Sequence, residues 1–271
     1  MNPSSSAIVT AFNEKLPTEV AYAYSEPYRF IRSTASSTIE SDPVAVYFEE
    51  EIDTYHKLFD RYFPRIGAGS PLNARMPVLE QTHLLEAEAD VLRLATLQLI
   101  HPVNIALQQT CPRGTRIICR TESTTSSTSR LDVEWSLYNT QGALLSRLAI
   151  LEIKNTNVIH RDDFQRAAVN EQNFQAKTAR AMDTESLTLL QRNAVWLSKQ
   201  AHKYSEHCPY VAIFDYSAMF LFSFLWQTTK PVRGFYFDES GRTSGMTFRR
   251  LLFAFVVRAL KGYEARMPQK P

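Results

Sequence analysis

Three side chains on two neighbouring apolar segments carry the chemistry this sequence has to offer. Asp132 stands in Arg130-Leu-Asp-Val-Glu-Trp-Ser136, and Glu152 and Lys154 close the run Leu148-Ala-Ile-Leu-Glu-Ile-Lys154. Two carboxylates supply the oxygen ligands that hard divalent cations prefer, and a lysine beside them supplies positive charge for a phosphate under attack. Positions 152 and 154 are two apart, so on a strand both side chains leave the same face of the sheet. Together they point to phosphodiester cleavage, provided the surrounding elements bring them into one place.

A hairpin does so on paper. Asp132 lies opposite Glu152 in an antiparallel pair if the turn centres on Gly142, which sits in the polar stretch Asn139-Thr-Gln-Gly142. On the first strand Leu131, Val133, Trp135 and Leu137 alternate with Asp132, Glu134 and Ser136, giving one apolar face and one that carries the acids. On the second, Ala149, Leu151 and Ile153 alternate with Ile150, Glu152 and Lys154. Both faces there are largely apolar, as in a sheet with helices packed over it.

This arrangement resembles the PD-(D/E)xK nuclease superfamily, with Asp132 as the motif Asp, Glu152 as the second acid and Lys154 as the lysine. Leu131 stands where the name-giving Pro would be. Downstream, Gln200-Ala-His-Lys-Tyr204 ends a helical segment just before the apolar strand at 210–216, and is similar to the Gln-x-x-x-Tyr motif of the RecB-like branch. Gln200 and Tyr204, at i and i+4, share one helix face. The resemblance gives Gln200 the task of orienting the metal site or the nucleic-acid backbone, and Tyr204 that of packing beneath it or stacking on it. An ordinary helix end, with Tyr204 covering the core, is the other reading of the same residues.

Upstream, residues 77–100 read as a long amphipathic helix that stops at Pro102. The resemblance implies an acid on this helix that reaches the metal. Glu88 is the choice, because Leu84, Val91, Leu92, Ala95 and Leu99 at helical spacings turn it toward the core. Glu86 is the alternative, and His83 reads as a solvated histidine.

The resemblance covers about residues 80–216 and implies an α/β fold: a restriction-endonuclease-like core whose central mixed β-sheet is flanked by helices, with further helices added at the N- and C-terminal ends. It implies Mg²⁺- or Mn²⁺-dependent hydrolysis of phosphodiester bonds in DNA, with RNA left open as a substrate. Glu88, Asp132, Glu152 and the carbonyl of Ile153 would hold the metal, and Asp132, Glu152, Lys154, Gln200 and Tyr204 form the catalytic set. The alternative is an inactive nuclease-fold protein that acts as a nucleic-acid- or protein-binding scaffold. No Ser/His/Asp ordering and no Gly-rich phosphate loop suggests another hydrolase.

At 271 residues and 44% apolar content the chain is long enough for a large core, and no Pro/Gly/Ser-rich linker divides it, so one domain over 1–271 is expected. Net charge is only +2 but unevenly spread, with 8 Lys/Arg against 14 Asp/Glu in residues 1–110 and 22 against 14 in residues 111–271. The basic part contains the proposed site, and Arg161, Arg166, Lys177, Arg180, Arg192, Lys199 and Lys203 are candidates to meet phosphates. Cys111, Cys119 and Cys208 are scattered without metal-ligand spacing, which fits a reducing compartment and gives no zinc motif. With no basic start, no apolar leader and no run long enough to span a bilayer, an intracellular location, cytoplasmic or nuclear, without membrane contact is expected.

The remaining segments read as support. Residues 1–6 form a frayed tail, 43–63 an amphipathic helix with acids on its outer side, and 115–121 a strand. The polar run 121–129 reads as an exposed hairpin loop, 218–226 and 233–238 as strands, and 246–263 as a closing helix with Arg249, Arg250, Arg258 and Lys261 around an apolar stripe.

Overall fold

A computed structural model describes residues 6–18, 20–32, 36–78, 83–126, 129–224, 231–240 and 245–266. In chain order the helices are α1 (Ile8–Ala11), α2 (Ser36–Ile39), α3 (Ile52–Tyr62), α4 (Glu88–Ala95), α5 (His101–Thr110), α6 (Arg161–Gln165), α7 (Phe174–Met182), α8 (Arg192–Ser205) and α9 (Phe248–Glu264). The strands are β1 (Ala21–Tyr22), β2 (Tyr47–Glu49), β3 (Leu84–Leu85), β4 (Thr115–Ser126), β5 (Ser129–Asn139), β6 (Leu144–Ile153), β7 (Ala168–Val169), β8 (Tyr210–Phe214), β9 (Ala218–Ser223) and β10 (Arg233–Asp238).

Eight strands make one mixed sheet in the order β4-β5-β6-β8-β9-β10-β2-β7, and β1 pairs with β3 apart from it. Four of its seven neighbouring pairs are antiparallel; β6 with β8, β10 with β2 and β2 with β7 are parallel. The chain is therefore an α/β protein with a large, mostly antiparallel central sheet between helices. Strands β8 and β9 read apolar at every position but the closing Ser223, because each face has its own cover. Ala212, Phe214, Met219 and Leu221 pack toward α9, while Val211, Ile213, Phe220 and Phe222 pack with Ala194, Leu197 and Ala201 of α8.

The β5–β6 hairpin closes differently at its two ends. Near the site Val133 pairs with Leu151 and Glu134 with Ile150, where the paired register ends, and Asp132 meets β6 through its carboxylate, which accepts the Ile153 N–H. Toward the turn, β6 carries two extra residues, so Tyr138 pairs with Leu144. The loop therefore closes one residue earlier than the sequence suggests, with the Asn139 N–H donating to the Ala143 carbonyl at 3.0 Å. Gly142 holds a φ of 82° there, a left-handed conformation that costs glycine nothing. The expected alternation holds for Val133, Trp135 and Leu137, whereas Leu131 joins the cluster on the opposite face.

Several expected elements come out differently. The helix expected over 77–100 begins at Glu88, because Leu84–Leu85 pairs with Ala21–Tyr22 and the Asp90 carboxylate accepts the Ala87 N–H at 3.0 Å, capping a new start; residues 79–82 of that prediction fall outside the described residues. Nor does it stop at Pro102. The proline removes an N–H and crowds the carbonyl four residues back. The helix widens into a π-helical turn over Thr96–Ile100 and continues to Thr110. The carbonyl that proline displaces, that of Gln98, accepts Arg249 Nε at 2.6 Å.

Arg249 itself is buried and also donates to the carbonyls of Ala11 and Glu14, so it is a core connector and not part of a solvated stripe. The predicted helix over 43–63 gives its first part to β2, where aromatic Tyr47 and Phe48 suit a strand slotted between β10 and β7. The acid run is not all outward: Glu50 is buried, accepting Tyr55 Oη at 2.7 Å and pairing with Arg258 at 2.6 Å. The polar run at 121–129 is strand up to Ser126, and Thr124 pairs with Arg130; residues 127–128 lie outside the described residues. In the predicted tail, residues 1–5 lie outside them too, but the Ser6 carbonyl accepts the Met76 N–H at 2.8 Å. The strand predicted over 218–226 ends at Ser223, and its residues 225–226 are outside the described set.

Candidate active site

At the C-terminal end of β6 the strand pairs with β5 on one side and β8 on the other, and the Lys154 N–H continues the ladder by donating to the Phe214 carbonyl at 2.8 Å. Glu152 and Lys154 leave the same face, as two-residue spacing requires, and Lys154 Nζ lies 2.8 Å from Glu152 Oε1. Both are nearly enclosed, with side chains 9% and 6% exposed for Lys154 and Glu152. From α8, Gln200 Nε2 makes a short hydrogen bond to the same Glu152 oxygen and a 3.0 Å bond to Tyr204 Oη. The Tyr204 hydroxyl also reaches Glu152. Helical i, i+4 spacing thus delivers both side chains to one carboxylate.

Asp132 Oδ2 accepts the Ile153 N–H at 2.8 Å, which binds its carboxylate to the backbone between Glu152 and Lys154. Burial, followed by the neighbouring charge of Glu152, pushes the Asp132 carboxyl up to about 7, against the pull of the Ile153 N–H and of Lys154. Burial disfavours the Lys154 ammonium, but Glu152 and then Glu88 outweigh it and hold its pKa above the ordinary lysine value. Lys154 is therefore a fixed cation at neutral pH. The Tyr204 phenol is raised by burial first and by Glu152 second, so it stays protonated.

Glu88 is not turned into the core. As the first residue of α4 its side chain is 48% exposed, and it meets the site through Lys154 Nζ at 3.8 Å. Among the described residues no three acid, histidine or cysteine side chains converge as a ready chelate, so Glu88, Asp132 and Glu152 do not form a three-carboxylate cage. The Glu86 side chain is exposed, and its backbone N–H donates to Asp90 at 3.3 Å. His83 is buried and not solvated, with Nδ1 3.2 Å from Arg93 and Nε2 without a partner. Of Ile153, the group that meets Asp132 is the backbone N–H.

One atom in the cluster is out of balance. Among the described residues, the buried Glu152 Oε2 has no hydrogen-bond partner, while Oε1 takes both Lys154 and Gln200. An unsatisfied buried carboxylate oxygen is costly and calls for a positive partner. Two carboxylates, Asp132 and Glu152, beside that atom fit a cation such as Mg²⁺, which commonly takes one or two protein carboxylates and fills its remaining positions with water and phosphate oxygen.

Two neighbouring polar groups lie outside the sequence reading. Asn155 Oδ1 and Thr156 Oγ1, directly after Lys154, are buried without partners. Their position as a polar pair ending an apolar strand was the available signal. Asp215, wholly buried at the end of β8, accepts the backbone N–H groups of Val158, Ile159, Ser217 and Ala218 at 2.8–3.0 Å. It pins the segment that leaves Lys154 to the β8–β9 turn, and burial raises its carboxyl despite those four bonds.

The seven candidate cations scatter. Arg161 pairs with Asp238 at 3.7 Å, Arg192 stacks over Tyr28, Lys199 donates to the Ile39 carbonyl and Lys203 lies over Tyr204. Arg166, Lys177 and Arg180 gather around one pocket. Among the described residues no helix is long and apolar enough to cross a membrane, and Cys111, Cys119 and Cys208 are free thiols. Comparison with protein-family models, with curated proteins and with solved structures finds no match for this chain.

Proposed function

We propose that the Asp132, Glu152 and Lys154 cluster hydrolyses phosphodiester bonds in DNA with the help of Mg²⁺ or Mn²⁺. The observation that carries this reading is the partnerless buried Oε2 of Glu152 beside Asp132, a concentration of negative charge that one lysine does not neutralise. Asp132 and Glu152 would hold the cation, with the Ile153 carbonyl next to them. Glu88 would act through its contact with Lys154. A bound divalent cation would supply an activated water and a Lewis acid for the phosphate.

The chain's own groups do the rest. Lys154, kept protonated by Glu152 and Glu88, cannot serve as a base at neutral pH; it donates hydrogen bonds and offsets negative charge growing on the phosphate. Gln200 fixes the Glu152 carboxylate in orientation, and Tyr204 fixes Gln200 in turn, so the acid does not swing away when the site is loaded. The cover of α8 and the sheet keeps that cluster in a low-dielectric setting, which strengthens each of these interactions.

The test is cleavage of labelled single- and double-stranded DNA and of RNA by the purified protein. Cutting with Mg²⁺ or Mn²⁺, its loss on chelation, and a loss of about 100-fold on removing the Lys154 charge are expected. Wild-type protein that binds nucleic acid yet cuts none of these substrates with either metal would replace this reading with that of a binding scaffold.

A further inference from the structure

A second grouping of charge stands apart from the carboxylates. Arg166, which follows α6, and Lys177 and Arg180 of α7 line a pocket of about 420 Å³ together with Thr184, Ser186 and Gln191 of the loop that leads into α8. Among the described residues no carboxylate lines it. None of the three cations has an ion-pair partner among the described residues, and Arg166 and Arg180 are exposed. Like charges gathered around one concavity with hydroxyl groups repel one another, and an anion relieves that repulsion.

The walls are held in place before any ligand arrives. Lys177 Nζ donates to the carbonyls of Arg166 and Ala168 at 3.1 and 2.7 Å, locking α7 against the segment before it. Thr184 Oγ1 donates to the carbonyls of Ala181 and Thr188 at 2.7 and 3.2 Å, and the Leu189 and Gln191 N–H groups bond the carbonyls of Ala45 and Asp163 at 3.0 and 2.9 Å. A rigid rim with two arginine side chains free to fold inward suits a tetrahedral oxyanion better than a flat or apolar ligand.

We infer that this pocket binds a phosphate group, and, resting on the nuclease reading, that the group belongs to the strand being cut. The pocket borders β7 and the segment entering β2, which lie five and four strands along the sheet from β6; at about 4.8 Å per strand this sets it about 20 Å from the carboxylate site. At about 3.4 Å per nucleotide of a stacked strand, that separation is about six nucleotides. The pocket thus grips the strand away from the cut and fixes its path.

The experiment compares wild type with the double variant Arg166→Gln/Arg180→Gln; the two arginine side chains are exposed and make no hydrogen bond among the described residues. Lys177 is left alone because it joins backbone segments. Two readouts need no cleavage: the rise in Tm caused by inorganic phosphate, and the affinity of fluorescently labelled oligonucleotides of increasing length in Ca²⁺ across a salt series. We expect the variant to lose the phosphate-induced rise, to bind long oligonucleotides about 10-fold more weakly, and to show a salt slope lower by about 1.4 for two lost contacts to a single strand. Wild-type affinity should step up at about six nucleotides beyond the cut, and the variant should lack the step. Arg166→Lys/Arg180→Lys should recover most of the loss, which separates lost charge from lost folding.

A phosphate response lost in the variant with oligonucleotide binding unchanged supports the site and assigns it a free phosphate compound, not a strand. If the variant matches wild type in both readouts, the inference is overturned. Failure of the nuclease reading would show instead as absence of metal-dependent cutting by wild type, whatever these binding results.

Discussion

Replacing Asp132 by Asn should make the metal-free protein more stable at alkaline pH. The Asp132 carboxyl lies at about 7 in the fold against 3.8 as its ordinary value, a rise of about 3 units. At about 1.36 kcal/mol per unit the enclosed charge costs up to about 4 kcal/mol when fully ionised. Because the folded pKa is raised, the group costs nothing below about pH 4, where folded and unfolded chains are both protonated. The cost grows as pH climbs and is complete above about pH 7. Asparagine mimics the protonated acid and its Oδ1 can still accept the Ile153 N–H, so the variant should escape this loss. In chelator at about pH 8 its Tm should exceed that of wild type by about 5 to 10 °C for a chain of this length, with the two curves meeting near pH 4. Adding Mg²⁺ should raise the wild-type Tm at pH 8 and leave that of the variant nearly unchanged, because a cation relieves the same repulsion the substitution removes. Differential scanning fluorimetry across pH, with and without metal, reads all of this. A variant no more stable than wild type at pH 8 in chelator would refute the claim that burial, with the Glu152 charge beside it, penalises the Asp132 carboxylate.

Lys154→Ala should destabilise the fold by about 3 kcal/mol at neutral pH, since it strands Glu152 in an enclosed site, and Glu152→Gln with Lys154→Met should recover most of that in urea melts. Additive losses would show that the pair is not coupled. Gln200→Ala should cost about 1 to 2 kcal/mol and lower kcat more than it raises KM, because it frees the Glu152 carboxylate without touching substrate; unchanged kcat would make Gln200 merely structural. Arg249→Leu should be among the most damaging single changes, at about 3 to 5 kcal/mol, because three backbone carbonyls lose its hydrogen bonds, two of them buried; a urea midpoint near that of wild type would contradict this. Gly234→Ala should also destabilise, since an added Cβ would drive into the rings of Tyr47 and Phe220, and a neutral melt would mean those rings have room to yield.

The sequence alone determined what depends on near neighbours along the chain. Two-residue spacing put Glu152 and Lys154 on one face, four-residue spacing put Gln200 and Tyr204 on one helix face, and the near-symmetric placement of Asp132 and Glu152 about a Gly-bearing turn brought them across one hairpin. These periodicities are properties of the backbone and survive any packing. The unbroken apolar runs of β8 and β9 likewise announced a sheet covered on both sides. Tertiary structure decided whatever depended on partners far off in sequence. Residues 84–85 became strand because Ala21–Tyr22 lies alongside, and the helix ran on past Pro102 because Arg249, from the far end of the chain, takes the carbonyl that proline displaces. Glu50, His83 and Arg249 read as solvated charges, yet each is buried, because the groups that enclose them lie elsewhere in the chain. Glu88 went the other way, left half-exposed when the start of its helix moved. The spare oxygen of Glu152 and the pocket formed by Arg166, Lys177 and Arg180 are likewise tertiary facts, because a missing partner and a convergence of side chains exist only in three dimensions.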